Sequence, residues 1–518
     1  LMGSHQYTCS ELIDHALIKP HDGGFLFQHA LVRDGAYSSL LKSRRRELHE
    51  KAAGWFEERD VTLWALHLDR AESPLAAGAY SDVARHHADQ FRFETALEAV
   101  TRGLEIAEAP AARYPLLMLQ GESLRENGQA AHSIETFRMA LEATEVDPER
   151  CRALIGLAAG MRITDDYDGA LGVLDQAEAL AVADSLDTEQ SDIHYYRGSI
   201  FFPLARIEGC LKEHRAALEA AERARAPERE VRALSGLGDA YYSSGRVLTA
   251  FRYFERCISL SREHGFGRVA VDNEFMESWC RVYMNQMEVA GASAAMAIEN
   301  ARQSHNQRAE MVAHVAAARA LVEQGRNEDA VVHTDHGFEL AKLLGANRFM
   351  PFLTIYWAYA REGQGMARGP ILTALQEALA TAHETGIGFL GPWVLGMMAR
   401  MHESRDESLA ALSEGETLLA GDCVGHNYIA FYSDAMDVSL RHQDWDEAER
   451  YSDALEAYTS GEPFPYSDFM IQKTRLLARH GRGEDREATA GSFQQLIDQA
   501  NTANMLVQRQ MLERALAG

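Results

Sequence analysis

The amino-acid sequence predicts an all-α fold, in which a long solenoid of helix hairpins follows a small winged-helix-like segment. Three observations predict this fold class. Small and apolar residues recur about every 40 residues along most of the 518-residue chain, as they do in stacked repeat proteins. Clusters of Gly, Asn, Asp and Pro separate the repeats, which is typical of turns. Between Tyr80 and the end, apolar and polar residues do not alternate over a useful length, as they would in half-buried strands.

The segment from residue 11 to residue 78 does not follow the repeat. We predict the end of a helix at residues 12–18, a turn at 20–24, a strand at 25–27 and then a long helical stretch. Helix, hairpin and helix in this order indicate the last part of a winged-helix domain. Residues 1–10 are interpreted as a cloning remnant or linker, because their start matches neither a signal peptide nor a natural initiation site.

The repeats occupy residues 79–503 and predict about eleven helix hairpins of 37–41 residues. In the clearest repeat, Gly238 and Ala250 stand where two antiparallel helices would cross closely, and Gly245 stands in the turn between them. We predict that residues 504–518 form a closing helix, whose apolar face caps the last hairpin. The small position of each second helix recurs at residues 103, 140, 177, 217, 257, 297, 337, 378 and 415, and continues at 455 and 493 with larger side chains.

These repeats resemble tetratricopeptide repeats, in the longer form found in large bacterial signalling regulators. The resemblance implies a right-handed superhelix whose concave groove holds a protein or peptide partner, or a small effector. It also implies that positions three before, one after and four after the Gly238-type residue face the groove. Ordinary packing between helices stays open as the alternative role for the same side chains. We call the choice of these three positions the groove rule. It selects Tyr195, Phe202, Asp239, Tyr242, Phe275, Trp279, Arg319, Trp357, Trp393 and Arg400.

A second pattern lies in the N-terminal segment. Its residues are Phe25, Phe27, His29, Asp34, Tyr37, Arg44, Arg45, Leu48 and His49, with Ala30, Leu31, Val32, Leu40, Leu41 and Arg46 between them. The pattern resembles the stretch that joins an ATPase module to the repeats in bacterial multidomain regulators, often fused to class III adenylate/guanylate cyclases. The resemblance implies a non-catalytic interaction or sensing region that regulates an N-terminal ATPase and cyclase module. A constitutive scaffold and the sensor arm of a large ATP-dependent transcriptional activator stay open as alternatives.

Composition favours a cytoplasmic chain that binds neither nucleic acid nor membranes. Asp and Glu number 77 and Lys and Arg 51, and the net charge of −26 repels phosphate backbones and anionic lipids. The six cysteines are scattered without a C-x-x-C pair, which fits a reducing compartment. No apolar run reaches the roughly 18 to 20 residues of a membrane-spanning helix. The basic run at residues 42–46 is interpreted as pairing with nearby acidic groups or with the ATPase module.

The sequence contains no motif that indicates catalysis or a cofactor. It lacks the G-x-x-x-x-G-K-[ST] phosphate loop, and no spacing indicates a Ser-His-Asp arrangement. His86 and His87 are adjacent and would point to different faces of a helix, whereas His333 and His336 share one face without a third ligand. We therefore expect no metal and no cofactor in this chain. The sequence leaves open whether the chain forms a homo-oligomer.

Overall fold

The computed structural model describes residues 8–21, 24–204, 206–483 and 486–517. These residues form 27 α-helices, one short 3-10 helix and one two-stranded sheet. The fold is an all-α, tetratricopeptide-like helical solenoid, which confirms the fold class that the sequence predicts. The chain divides into two compact units, an N-terminal unit of residues 1–189 and a C-terminal unit of residues 190–518. Among the described helices, none is both long enough and apolar enough to cross a lipid bilayer.

The N-terminal unit begins with the short sheet. Strand β1 pairs antiparallel with β2, and Ile18 lies opposite Phe27. The first helix ends at Asp14, earlier than the expected 12–18, because Ala16 adopts a left-handed conformation with φ of 51°. The expected strand at 25–27 lies within β2, whereas residues 1–7, 22 and 23 of the predicted linker and turn lie outside the described residues. The elements are α1 Ser10–Asp14, β1 Ile18–His21, β2 Gly24–Phe27, α2 Ala30–Ser38, α3 Lys42–Phe56 and α4 Val61–Arg70.

Eleven consecutive helix pairs follow along the described chain, from α5 to α26, and a final helix succeeds them. Three pairs belong to the N-terminal unit: α5 Ala76–Ala88, α6 Phe93–Ile106, α7 Pro110–Glu126, α8 Ala130–Glu142, α9 Asp147–Ile163 and α10 Tyr167–Ala183. The first pairs of the C-terminal unit are α11 Asp187–Phe201, α12 Ile207–Ala224, α13 Pro227–Ser243, α14 Val247–Glu263, α15 Gly267–Tyr283, α16 Met287–Gln303, α17 Gln307–Glu323 and α18 Asn327–Leu344. The remaining helices are α19 Met350–Gly363, α20 Arg368–Thr385, α21 Ile387–Met401, α22 Arg405–Leu419, α23 Gly425–Arg441, α24 Trp445–Thr459, α25 Pro465–Gly481, α26 Arg486–Thr502 and α27 Leu506–Ala517.

Helix α13 and its partner α14 show how the repeat sequence forms a hairpin. Gly245 ends α13 with φ of +77°, and the backbone N–H of Arg246 donates to the Tyr241 carbonyl at 2.9 Å, which closes the last turn. A Cβ at Gly238 would lie 2.6 Å from the ring of Phe254. The absence of a side chain at this position therefore lets the fully buried Phe254 ring pack directly on the α13 backbone.

The C-terminal unit closes upon itself through contacts between helices far apart in sequence. Helix α13 contacts α23, α15 contacts α25, and α17 contacts α27. Glu462, in the loop before α25, accepts hydrogen bonds from the backbone N–H groups of Leu248 at 2.8 Å and Thr249 at 3.1 Å, and from the Thr249 hydroxyl. Its carboxylate thereby caps the N-terminus of α14, where the helix dipole favours negative charge. We call these contacts, together with the approach of Gly425 to Gly245, the ring closure.

Candidate functional site

The ring closure places the inner faces of the first helices around one chamber. Helices α15, α17, α19, α21, α23 and α25 line it, and α27 contributes Val507 and Gln508. We call this cavity of about 80 Å³ the inner chamber. Regular helical spacing supplies its polar groups, because residues three or four apart share one face of a helix. Arg319 and Glu323 on α17 follow this spacing, as do Asp434 and Asp437 on α23.

One side of the inner chamber is a buried network of ion pairs centred on Asp437. Arg400 donates from Nη1 to Asp437 Oδ2 at 2.8 Å and from Nε to Glu362 Oε2 at 2.8 Å. Lys473, whose side chain is fully buried, donates to Asp437 Oδ1 and to Gln508 Oε1, both at 2.9 Å. Burial alone would favour the neutral acid, but Lys473 and Arg400 hold the pKa of Asp437 below its ordinary value. This network joins α19, α21, α23, α25 and α27.

Asp434, one helical turn before Asp437, is in a different electrostatic state. Its Oδ2 atom accepts a hydrogen bond from the Tyr359 hydroxyl at 2.7 Å, while Arg400 Nη1 stays 3.8 Å from Oδ1. Burial raises the pKa of Asp434 to about 7, although Arg400 and the Tyr359 hydroxyl oppose the shift. The carboxyl is therefore half protonated near neutral pH, so the charge of the inner chamber changes in the physiological range.

A second part of the inner chamber carries a guanidinium that lies against aromatic rings. Arg319 is only 6% exposed, and its Cζ atom lies 3.8 Å from the ring centre of Tyr283 and 4.9 Å from that of Trp279. Its Nη1 atom is buried without a hydrogen-bond partner in the described part of the chain, and the same holds for the hydroxyl of Tyr356. Glu323 accepts from the Tyr466 hydroxyl at 2.9 Å, and burial raises its pKa although Tyr466 and Arg319 oppose the shift. The two residues that carry these unpaired donors thus line the same cavity.

A hydrogen-bonded chain runs behind Arg319 to the ring closure. Trp279 Nε1 donates to the Tyr242 hydroxyl at 2.6 Å, and that hydroxyl lies 3.3 Å from Nδ1 of His426. His426 Nε2 lies 2.5 Å from the Phe389 carbonyl oxygen. Burial lowers the pKa of His426 to about 3, so the ring is neutral, with Nε2 as donor to Phe389 and Nδ1 as acceptor from Tyr242. Trp279 is therefore connected to α23 through Tyr242 on α13.

The inner chamber brings together several of the residues that the groove rule selects. Arg319, Trp393 and Arg400 line it directly. Trp279 lies under Arg319, and Tyr242 is bonded to Trp279. These residues lie around a cavity inside the C-terminal unit, because the ring closure brings α13 against α23 and α15 against α25.

The remaining groove residues lie elsewhere in the C-terminal unit. Tyr195 on α11 is half-buried beneath the guanidinium of Arg232, 4.4 Å from the ring centre. Phe202 and Phe275 are half-buried, and Asp239 is half-buried with a pKa that burial raises to about 7. Trp357 is also half-buried and packs against the core cluster. None of these five lines the inner chamber.

The junction residues form their own cluster in the N-terminal unit. The Tyr37 hydroxyl lies 2.9 Å from His49 Nε2, and His49 Nδ1 lies 2.9 Å from His67 Nδ1. Arg45 stacks over the Tyr37 ring at 5.2 Å, and Arg44 pairs with Glu47. Leu48 is half-buried, whereas Phe25, Phe27, His29 and Asp34 are exposed.

The groove rule misses much of the inner chamber. A helical spacing of four residues would have added two of the missed residues, since Tyr283 follows Trp279 and Glu323 follows Arg319 at that distance. No local pattern indicates the others, because their neighbours in space come from distant hairpins. The missed residues are Tyr283, Glu323, Tyr356, Tyr359, Asp434, Asp437, Tyr466, Lys473 and Gln508, with His426 behind them.

Three histidines lie close together on α17 and α18. Nδ1 of His314 is 2.8 Å from Nδ1 of His333, and the rings of His314 and His336 stack at 5.3 Å. Burial lowers the pKa of His314 to about 3, with His333 and His336 acting in the same direction. Across the described ranges, no group of three or more His, Cys, Asp or Glu side chains is arranged to hold a metal ion.

The raised pKa of Asp434 predicts a specific pH dependence. Because the folded pKa of about 7 exceeds the ordinary 3.8, the folded chain binds this proton more tightly than the unfolded chain. Its stabilising contribution is complete below about pH 4 and is lost as the pH rises to about 7. Within that window, we expect the free energy of unfolding of the wild type to fall by about 1.4 kcal/mol per pH unit relative to Asp434→Asn. Urea denaturation at a series of pH values measures the difference.

An exposed carboxyl on α18 provides the control for this pH experiment. Asp335→Asn removes an acid outside the inner chamber, and we expect its pH profile to follow that of the wild type. Parallel profiles of the wild type and Asp434→Asn would contradict the assignment of the proton to Asp434.

Comparison with known proteins agrees with the class that these elements define, a tetratricopeptide-like repeat protein. No family model and no curated protein matches the chain. The chain is similar to a Signal Transduction ATPase with Numerous Domains (STAND) protein with a tetratricopeptide repeat sensor from Pyrococcus horikoshii. That comparison has a TM-score of 0.53 and 13% identity, and covers 72% of this chain and 58% of the length of that protein. The chain is also similar to a Rap protein complexed with Competence and Sporulation Factor, with a TM-score of 0.53, 13% identity and coverage of 67% and 98%. At this identity, both comparisons show the fold alone.

Proposed function

We propose that this chain is the non-catalytic, effector-sensing repeat region of a larger bacterial signalling protein. The inner chamber is the observation that supports the proposal. Its lining comes from seven helices and includes Arg319 and Tyr356, whose Nη1 and hydroxyl are buried without hydrogen-bond partners among the described residues. Such a convergence of polar groups in an otherwise aromatic cavity is typical of a ligand site.

The position of the inner chamber supports a sensing role. A ligand inside it would touch helices from six hairpins at once. The contacts of Glu462 with α14 and of Gly425 with Gly245 hold the ring closure together, and they separate when it loosens. A ligand that binds the open and closed arrangements unequally would shift the equilibrium between them. We propose that this shift is the signal that leaves the C-terminal unit.

The output module is proposed from the resemblance of the junction residues. A STAND protein with a tetratricopeptide repeat sensor shares the fold, which supports control of an N-terminal ATPase module. We propose that this module is linked to a nucleotide cyclase, with an ATP-dependent transcriptional activator as the alternative, and that the parent protein is cytoplasmic. The effector is a peptide, a protein segment or a small molecule, and the Rap protein complexed with Competence and Sporulation Factor supports the peptide class.

A thermal-shift screen with tryptophan fluorescence tests the sensing role. The full chain is screened against fractionated peptides, nucleotides and sugars, and a ligand at a hundred times its Kd should add about 2.7 kcal/mol to the free energy of unfolding. We expect such a ligand to change the fluorescence of Trp279, because this ring contacts Arg319 at the inner chamber. The fluorescence change should decrease in Trp279→Phe, with the remainder coming from Trp393 on the chamber wall, and should persist in full in the matched variant Trp357→Phe, whose ring lies outside the chamber.

Two outcomes would contradict effector sensing. One is a ligand whose fluorescence response survives Trp279→Phe and is lost in Trp357→Phe, which would place the binding site outside the inner chamber. The other is constitutive capture of one protein partner, with no small molecule or peptide that shifts the unfolding midpoint. That result would favour the assembly scaffold.

A further inference from the structure

We propose that the inner chamber recognises a carboxylate group, which Arg319 and Tyr356 bind together. This inference rests on the proposed function and specifies the chemistry of the effector. Three observations support the inference: the two unpaired donors, the acidic residues near them, and the apolar side chains in the cavity lining.

Arg319 differs from the other two cations at the inner chamber. Arg400 is bound by the carboxylates of Glu362 and Asp437, and Lys473 is bound by Asp437 and Gln508. Arg319 instead lies against the faces of Tyr283 and Trp279, and such a contact with the face of a ring does not use the in-plane N–H donors of a guanidinium. Its Nη1 atom has no partner among the residues described. A buried guanidinium with an unused donor is costly, and an anionic acceptor removes that cost.

Tyr356 supplies a second donor on the adjacent inner helix. Its side chain is 3% exposed, its hydroxyl is without a partner within the described chain, and it lines the same cavity as Arg319. Helices α17 and α19, which carry the two residues, are in direct contact. Two donors carried by neighbouring helices of one cavity suit the two oxygens of one carboxylate, and charge-assisted hydrogen bonds of this kind are among the strongest in proteins.

The surrounding acids select a singly charged ligand over a phosphate or sulfate dianion. Asp437, whose pKa is held low, lines the same chamber as a carboxylate, and Asp434 is partly ionised near neutral pH. A second negative charge on the ligand would therefore be repelled at close range in a poorly solvated site. The lining also includes apolar side chains, among them Ile429 and Met470. The chamber is therefore suited to a carboxylate with a small apolar body. Either a short-chain monocarboxylic acid or the C-terminal carboxylate of a peptide meets this description.

Titration of the full chain with defined probes tests the assignment. The probes are acetate, butyrate and benzoate at constant ionic strength, inorganic phosphate, and one hydrophobic tripeptide with a free or an amidated C-terminus. We expect a monocarboxylate or the free-acid peptide to bind, as measured by calorimetry and tryptophan fluorescence, and phosphate and the amidated peptide to bind at least tenfold more weakly. Binding of butyrate or benzoate identifies a small acid as the source of the carboxylate, whereas binding of the free-acid peptide alone identifies a peptide terminus.

Two variants locate the binding site and separate binding from folding. We expect Tyr356→Phe to weaken binding about tenfold and Arg319→Gln about a hundredfold, as loss of a hydrogen bond to a charged group predicts. The unliganded Tyr356→Phe variant should unfold at the same temperature as the wild type or higher, because the hydroxyl it loses makes no hydrogen bond. Tyr253→Phe on α14, whose ring stacks on Tyr241 outside the chamber, is the matched control and should bind like the wild type.

Different experimental results would overturn this inference and the proposed function. The inference is wrong if every carboxylate probe fails to bind, or if Tyr356→Phe and Arg319→Gln bind the probes as tightly as the wild type. An uncharged ligand that still acts through Trp279 would leave the sensing role intact and overturn only the carboxylate. Conversely, carboxylate binding that depends on Arg319 but leaves the activity of the intact signalling protein unchanged would support this inference and contradict the proposed function.

Discussion

Lys473→Met should lower the free energy of unfolding of the C-terminal unit by about 3–5 kcal/mol, the usual effect of removing one partner of a buried ion pair. Methionine has a similar length, so little volume is lost. The change leaves one oxygen of Asp437 and the side-chain oxygen of Gln508 without the donor that the fully buried Lys473 supplies. Hydrogen exchange of α25 and α27, together with urea denaturation, measures the loss.

An exposed lysine provides the control for Lys473→Met. Lys342→Met, on the outer helix α18, makes the same chemical change on the surface, where substitutions usually alter stability by less than about 0.5 kcal/mol. Equal stability of the two variants would show that the network around Asp437 does not hold α27 in place.

Gly425→Ala should destabilise the C-terminal unit by about 3 kcal/mol, at the upper end of typical overpacking effects. A Cβ at this position would lie 2.5 Å from the backbone nitrogen of Gly245 and 2.8 Å from the hydroxyl of Tyr458. The Gly245 contact is with backbone, so the strain cannot be relieved by rotating a side chain. We expect the ring closure to open between α13 and α23, with increased exposure of Trp279 to iodide quenching.

A second glycine separates this steric effect from helix propensity. Gly291 lies inside α16, and a Cβ there would meet its nearest atom at 3.8 Å, an ordinary contact distance. Gly291→Ala should therefore be neutral or should stabilise the protein by up to about 1 kcal/mol. If Gly425→Ala changes the free energy of unfolding no more than Gly291→Ala does, the close approach of Gly425 to Gly245 does not contribute to the ring closure.

The hairpins could be predicted from the sequence because their signals are local. Gly238, Gly245 and Phe254 lie within 17 positions, and the same spacing of small and apolar residues recurs in the next repeats. The ring closure has no such signal. Glu462 caps a helix 214 residues away in sequence, and nothing near Glu462 identifies α14 as its partner.

The residues that the groove rule selects show how an error of one position along a helix limits the prediction of a site. In the eighth hairpin the rule selects Trp357, whereas the chamber is lined by Tyr356 and Tyr359 on the same helix. A shift of one residue rotates a side chain by about 100° around the helix axis, enough to move it from the inner face to the flank. Lys473 could not be predicted either, because a lysine in a helical sequence is normally read as solvent-exposed.

The long-range cap of α14 has a consequence for biosynthesis. A ribosome that adds about 5–20 residues per second needs roughly 10–40 s to extend the chain from Leu248 to Glu462. During that interval, the α13–α14 hairpin can form by local contacts. The aromatic side chains near Arg319 still lack the later helices that pack against them in the folded unit. The nascent chain therefore presents apolar surface for many seconds before the last two hairpins emerge. The C-terminal unit should depend on chaperones during synthesis to a degree that is unusual for a helical repeat, whose folding is normally fast and local.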